Sequence, residues 1–162
     1  MEEQVLLITG ASGGLGESVV RAFAATGARL ALVGRRQESL ETLATRLALP
    51  PTGIICHAAD LARPEQAQAT VSAVLAEWGK VDCLLNLVGT WAGGVKLADL
   101  TDEQWHGMLD TNLHSAFHIT RAVLPPMLAQ GGGRIVHVGS RAVERPGWGR
   151  PPITWPRQVC WH

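Results

Sequence analysis

Apolar positions along this chain alternate between two patterns. Short, largely apolar runs at residues 5–8, 30–33, 53–57, 81–85 and 134–138 predict strands. Between them, apolar residues return at helical spacing. Leu40, Leu43, Ala44 and Leu47 share one helix face, and Val71, Val74, Leu75 and Trp78 repeat that arrangement. A longer helix is predicted from Gln104 toward Ala122, with Trp105, Met108, Leu109, Leu113, Ala116 and Phe117 on one core-facing stripe. Thr101 and Asp102 stand just before it as N-cap residues. Pro125-Pro126 and the glycines at 131–133 predict the end of that helix and the turn into the fifth strand. Strand–helix alternation of this kind implies a parallel sheet covered on both faces, with right-handed crossovers. The expected class is α/β, a doubly wound parallel sheet in three α/β/α layers.

The first strand runs into Thr9-Gly10-Ala11-Ser12-Gly13-Gly14-Leu15-Gly16, and a helix is expected from about Leu15. Glycines allow a sharp turn and a close approach of backbone to ligand. The unpaired N–H groups and positive dipole end of the following helix attract an anion. Strand in front and helix behind favour the pyrophosphate of a dinucleotide, although a glycine turn can also serve as a plain connection. A nucleoside triphosphatase loop is excluded. It needs a lysine before a serine or threonine, and here Glu17 precedes Ser18.

Composition narrows the class. The 162 residues suffice for one domain with a core, and 14 basic residues balance 14 acidic ones. Neither a nucleic-acid-binding surface nor an acidic tail is expected. Residues 1–4 form no signal peptide, and no apolar run approaches the ~20 residues of a membrane span. Cys56, Cys83 and Cys160 are scattered, which fits a reducing, cytoplasmic setting without disulfides or a zinc site. His114 and His118 are four apart on the long helix, but no third ligand lies near, so no metal is expected.

The ordered motifs resemble those of the short-chain dehydrogenase/reductase family over roughly residues 4–149. Thr9-Gly10-x-x-x-Gly14-x-Gly16 is similar to that family's cofactor turn, and Gly13 adds a Gly-x-x-Gly-x-x-Gly spacing. The resemblance implies a Rossmann-type NAD(P)-binding domain at residues 1–149, with Gly10, Ser12, Gly13, Gly14, Leu15 and Gly16 around the cofactor. At the end of the second strand, Gly34 stands where NAD enzymes carry a carboxylate, and Arg35 and Arg36 follow. A guanidinium grips a 2′-phosphate that a carboxylate would repel, so NADP(H) is expected over NAD(H), with Arg35 the leading contact. Asp60-Leu61 corresponds to the family's adenine contact, a helix-entry turn being the other reading. Asn86-Leu87-Val88-Gly89 resembles the family's Asn-Asn-Ala-Gly and departs from it at Leu87 and Val88. The resemblance makes Asn86, Val88 and Gly89 cofactor-site residues. It makes Asn112 and Ser140 catalytic, Asn112 helping to hold a relay water and Ser140 bonding the substrate oxygen. An alcohol or carbonyl substrate, and a parent enzyme that is a homodimer or homotetramer, are implied with them. A dinucleotide-binding or regulatory module without catalysis is the alternative.

One family feature is missing. A proton-transferring tyrosine belongs about thirteen residues after the serine, with a lysine four later. From Ser140 those places hold Ile153 and Arg157, and the chain contains no tyrosine. Residues 150–162 carry three prolines and two tryptophans without periodicity, so an irregular tail is expected, following a domain that is incomplete at its C-terminus. Codon degeneracy permits another account. Read one base earlier, Ile153 can become tyrosine and Arg157 lysine, within a string similar to the family's active-site helix. A base lost near the codon for Arg150 would produce this tail. Sequencing the source DNA is expected to restore that frame, and an intact frame running into the present tail would refute it.

Overall fold

The computed structural model describes residues 4–90 and 95–139. Ser140, Trp91 and the tail at 150–162 lie outside the described residues. Five parallel strands form one sheet in the order β3-β2-β1-β4-β5: β1 Val5–Thr9, β2 Arg29–Gly34, β3 Ile54–Ala58, β4 Cys83–Asn86 and β5 Arg134–His137. Helices α1 Gly16–Ala24, α2 Gln37–Arg46 and α3 Pro64–Trp78 connect the first four strands. A 3₁₀ turn at Leu97–Asp99, α4 Asp102–Leu109, a π turn at Asp110–His114 and α5 Ser115–Ala129 lead into β5.

Period-two alternation along the strands divides the core. Val5 and Leu7 of β1, with Ala31 and Val33 of β2, face Ala67, Val71 and Val74 of α3 and Ile119, Val123 and Met127 of α5. Leu6 and Ile8, with Leu30 and Leu32, face Val20 of α1 and Leu40 and Leu43 of α2. Every residue of β1 is buried, because helices cover it from both sides and strands flank it at both edges.

Three sequence expectations need correction. Strand β4 begins at Cys83 rather than at residue 81. The Val81 backbone is satisfied elsewhere: Gln130 Nε2 donates to its carbonyl at 2.7 Å and Gln130 Oε1 accepts from its N–H at 3.4 Å. Asp82 holds the strand entry, its Oδ2 accepting from the Val5 N–H at 2.7 Å.

The long helix does not end at Pro125-Pro126 but runs to Ala129. Proline already has helical φ, and near a C-terminus its missing N–H groups affect only the last turns. That end is held by burial of Met127, and it closes at Gly131 and Gly132, where φ is +87° and +156°. The Gly132 N–H returns to the Met127 carbonyl at 2.9 Å.

The core-facing stripe of the long helix is also rotated. It runs through Met108, Asn112, Ser115, Ile119, Ala122 and Met127, and leaves Phe117 53% exposed. Counting only apolar residues passed over Asn112 and Ser115. Both are buried because their side chains bond carbonyls of the preceding turn: Asn112 Nδ2 to Met108 O at 3.0 Å and Ser115 Oγ to Thr111 O at 2.6 Å.

If Met127 anchors the turns beyond the two prolines, Met127→Ala should cost about 2–4 kcal/mol and fray the helix end first. Urea unfolding, with amide exchange at Gly132, checks this; a loss below about 1 kcal/mol would contradict it.

Candidate functional site

Strand register collects the predicted site residues at one edge of the sheet. The C-terminal strand ends form a row: Ala58 beside Gly34, Val33 beside Thr9, Thr9 beside Asn86, and Asn86 beside His137. Strand order reverses at β1, whose neighbours are β2 and β4, and ligands of open α/β sheets bind outside such a switch point.

The glycine turn fills this position. Gly10 has φ +70°, and a Cβ placed on it would lie 2.9 Å from the Val88 nitrogen and 3.0 Å from the Leu87 carbonyl carbon. Only glycine lets the turn sit directly on the peptide leaving β4. Gly16 is tighter still, since its Cβ would meet the Ala11 oxygen at 1.9 Å, so α1 starts flush against the turn. Gly14 differs: it is exposed, and nothing lies within 4 Å of the Cβ position. The Gly13 and Gly16 N–H groups bond within the turn, to Gly10 and Gly13, and the Ala11 N–H donates to Val33 on β2. Those of Ser12, Gly14 and Leu15 have no protein acceptor among the described residues, and all three residues are exposed. Together they leave three exposed donors without a described acceptor just before α1. This is the arrangement that holds a phosphate, and it fits the dinucleotide expected from sequence.

Ser12 reaches toward the end of β2, where its Oγ lies 3.1 Å from the Cβ position of Gly34. A carboxylate side chain at residue 34 would therefore crowd Ser12. Arg35 and Arg36 are exposed beyond that glycine, Arg36 as the extended N-cap residue of α2, and neither forms an ion pair among the described residues.

Asp60 is exposed after β3 and forms a local turn. Its Oδ1 accepts from the Ala62 N–H at 3.1 Å, and its own N–H donates to Gln66 Oε1 at 2.7 Å. The side chain of Leu61 lies in the core, leaving its backbone as the part that can face a ligand.

Asn112 sits in the π turn between α4 and α5. Its Oδ1 accepts from the Thr90 N–H at 2.9 Å, which ties the segment leaving β4 to the long helix. Thr111 Oγ1 also donates to the Gly107 carbonyl at 3.0 Å, so side chains compete for the carbonyls of this turn and the helix widens there. The sequence places residues 110–113 within one long helix and does not anticipate the π turn. Asparagine's poor fit within a helix was the only sequence signal of the π turn.

Two features had not been expected. A cleft of about 520 Å³ opens on the α1/α2 flank of the turn, lined by Ser12, Gly14, Glu17, Ser39, Thr42 and Arg46 among others. Arg21 and Arg46 both pair with Glu17 there, at 3.0 and 2.6 Å. This cleft lies beside the strand-end row and does not include Arg35, Asn86 or Asn112. The cleft and the row meet at the glycine turn, whose residues 11–14 line the cleft, and the row adds the polar strand-end residues Thr9, Asn86 and His137. The second feature is His137, half-buried at the end of β5 and bonded to Asn86 and Thr120. Among the described residues no group of three or more His, Cys, Asp or Glu could hold a metal ion. No helix among them is long and apolar enough to cross a membrane.

The short chain dehydrogenase family model matches residues 4–152. The chain belongs to the short-chain dehydrogenase family. With that family it shares the Rossmann-like NAD(P)-binding fold of an oxidoreductase. It is 32% identical over 142 residues to the NADP-dependent 3-hydroxy acid dehydrogenase YdfG of Escherichia coli (strain K12), covering 88% of this chain and 56% of that protein. It is 35% identical over 147 residues to the uncharacterized oxidoreductase YvrD of Bacillus subtilis (strain 168), covering 90% and 54%. Among solved structures, an actinorhodin polyketide ketoreductase variant with NADPH matches with TM-score 0.87 at 31% identity, covering 95% of this chain and 59% of that one. A metagenomic short-chain oxidoreductase in complex with NADP matches with TM-score 0.88 at 29% identity, covering 96% and 71%. This short-chain dehydrogenase chain thus spans little more than half the length of the curated relatives it matches.

Burial lowers the proton affinity of His137 below the ordinary histidine range, and no charged neighbour contributes. A histidine with a depressed folded pKa adds stability that is complete above its unfolded value near 6.5 and is lost as pH falls through the folded value. Thermal midpoints should therefore drop by a few degrees more from about pH 7.5 to 5 in the parent chain than in His137→Asn. Equal slopes in the two proteins would contradict this.

Proposed function

We propose that this chain is the cofactor-holding part of an NADP-preferring short-chain dehydrogenase/reductase acting on an alcohol or carbonyl substrate. The observation that carries the reading is the set of exposed amides at Ser12, Gly14 and Leu15 with no protein acceptor among the described residues, on a turn that Gly10 and Gly16 seat against the switch point. In this reading those amides and the α1 dipole take the pyrophosphate, and the unobstructed Gly14 lets it approach the backbone. Arg35, with Arg36 behind it, takes the 2′-phosphate, in keeping with the NADP dependence in the name of one relative and the NADPH and NADP in two structural neighbours. Asp60 meets the adenine through whatever capacity its turn leaves free, and Leu61 contributes backbone only. Asn86 fixes the segment that brings Val88 and Gly89 beside the cofactor.

The nicotinamide supplies or takes the hydride, so the protein's task is position and a proton. Ser140 is proposed to bond the substrate oxygen. Asn112 holds the Thr90 segment and the relay side of the site. The proton donor would be the tyrosine that these 162 residues lack. Loss of such a group typically costs about 10²–10⁴-fold, so this polypeptide is expected to bind cofactor with negligible turnover.

NADPH binding, followed by nicotinamide fluorescence with NADH as the comparison, tests the reading. NADPH should bind the more tightly. Arg35→Asp should weaken NADPH by about tenfold to a hundredfold and NADH far less. Gly14→Ala has room for its Cβ in the protein, so it should leave the thermal midpoint nearly unchanged while abolishing binding. Failure of the parent chain to bind either cofactor, or full binding by Gly14→Ala, would overturn the proposal. So would carbonyl reduction that survives removal of contaminating enzymes, for the claim of negligible turnover.

A further inference from the structure

A chain of hydrogen bonds crosses the sheet beneath the candidate site. Thr9 Oγ1 on β1 donates to Asn86 Oδ1 on β4 at 2.5 Å, and the Val88 backbone N–H donates to the same oxygen at 3.3 Å. Asn86 Nδ2 lies 3.0 Å from His137 Nδ1 on β5, and His137 Nε2 lies 3.1 Å from Thr120 Oγ1 on α5.

Donor and acceptor chemistry fixes each proton in this chain. A backbone N–H can only donate, so the Asn86 oxygen faces Val88 and the amide NH₂ faces His137. An NH₂ group also only donates, so His137 Nδ1 must present its lone pair. The single proton of the neutral ring then sits on Nε2 and is donated to Thr120.

We infer that His137, through the lone pair on Nδ1, is a positioning residue that orients the Asn86 amide and so holds the Leu87–Val88 peptide in its seat against Gly10. The inference rests on the dinucleotide reading for its consequence, because that peptide supports the underside of the glycine turn. It rests on the bonds above for its geometry.

A proton added at Nδ1 would set an N–H against the NH₂ of Asn86. Rotating the amide to relieve this would turn its NH₂ toward the Val88 N–H, breaking the Val88 bond and moving the acceptor away from Thr9. His137 faces Asn86 from β4 and Thr120 from α5, and burial alone favours its neutral form, which is the form the chain of bonds requires.

Two near-isosteric substitutions separate positioning from simple filling. Asparagine at 137 can keep an oxygen close to the Nδ1 position and loses the reach to Thr120. Glutamine can reach the Nε2 position and loses the acceptor for Asn86. In the full chain, His137→Asn should keep slow amide exchange at Val88 and hold NADPH affinity within about threefold. His137→Gln should lose that protection and weaken NADPH by about tenfold. Long-range ¹H–¹⁵N spectra of the parent chain at neutral pH should show His137 protonated on Nε2 alone.

A proton on Nδ1 at neutral pH, or equal behaviour of the two variants at Val88, would overturn the inference. If the parent chain binds no NADPH, the dinucleotide reading fails by itself. The tautomer and the Val88 exchange then still decide whether His137 orients Asn86.

Discussion

The contact between the backbone of Gly10 and the Leu87–Val88 peptide sets the geometry of this molecule's functional edge. A Cβ there would lie 2.9 Å from the Val88 nitrogen, closer than a side chain can come to backbone without displacing it. With that contact made, the turn after β1 lies over the strand beside it and cannot rise away from the sheet. Gly16 repeats the constraint one step later, pressing the start of α1 against Ala11. Ser12, Gly14 and Leu15 are exposed, and their amides have no protein acceptor among the described residues. The packing beneath the turn follows from residues that lack a side chain.

The layered fold was legible in sequence because its signal is repeated. Each buried strand is a short apolar run, and each helix between them shows apolar residues three and four apart. All five strands overlap the predicted runs, while the long helix departs from its period in both its end and its buried face. The parallel arrangement follows from the intervening helices. Ends and faces were less legible, since each depends on one distant partner. Val81 leaves β4 because Gln130, 49 positions away, takes both of its backbone groups. Helix α5 passes through two prolines because Met127 is buried beyond them. The rotated stripe has a similar origin: Asn112 and Ser115 enter the core by satisfying carbonyls within their own helix, so their polarity gives no warning of burial.

At the site, sequence spacing picked out positions better than it described what they do. Register aligns Thr9, Gly34 and Asn86 at the strand ends, and Asn112 reaches the segment leaving β4 through its bond to the Thr90 N–H. Their side-chain partners are a different matter. Asp60 spends one carboxylate oxygen on its own turn, and Leu61 turns into the core. Asn86 is buried and bonds across three strands, so it acts on the site through Val88. His137 gave no signal at all, since a histidine within an apolar run is silent until the strand beside it is known. Its meaning comes from register, which sets it opposite Asn86.

Charge around the turn completes the physical picture. Glu17 lies in the first turn of α1, where a carboxylate suits the helix dipole but opposes any anion bound at the same end. Arg21 from its own helix and Arg46 from α2 both pair with it, at 3.0 and 2.6 Å. These groups are partly exposed, with Arg46 59% and Glu17 36% accessible in their side chains, so the pairs add little stability. Their larger effect is on the local field: one carboxylate is matched by two guanidiniums. Arg35 and Arg36 form no ion pair among the described residues, so they add positive charge without an offsetting partner there.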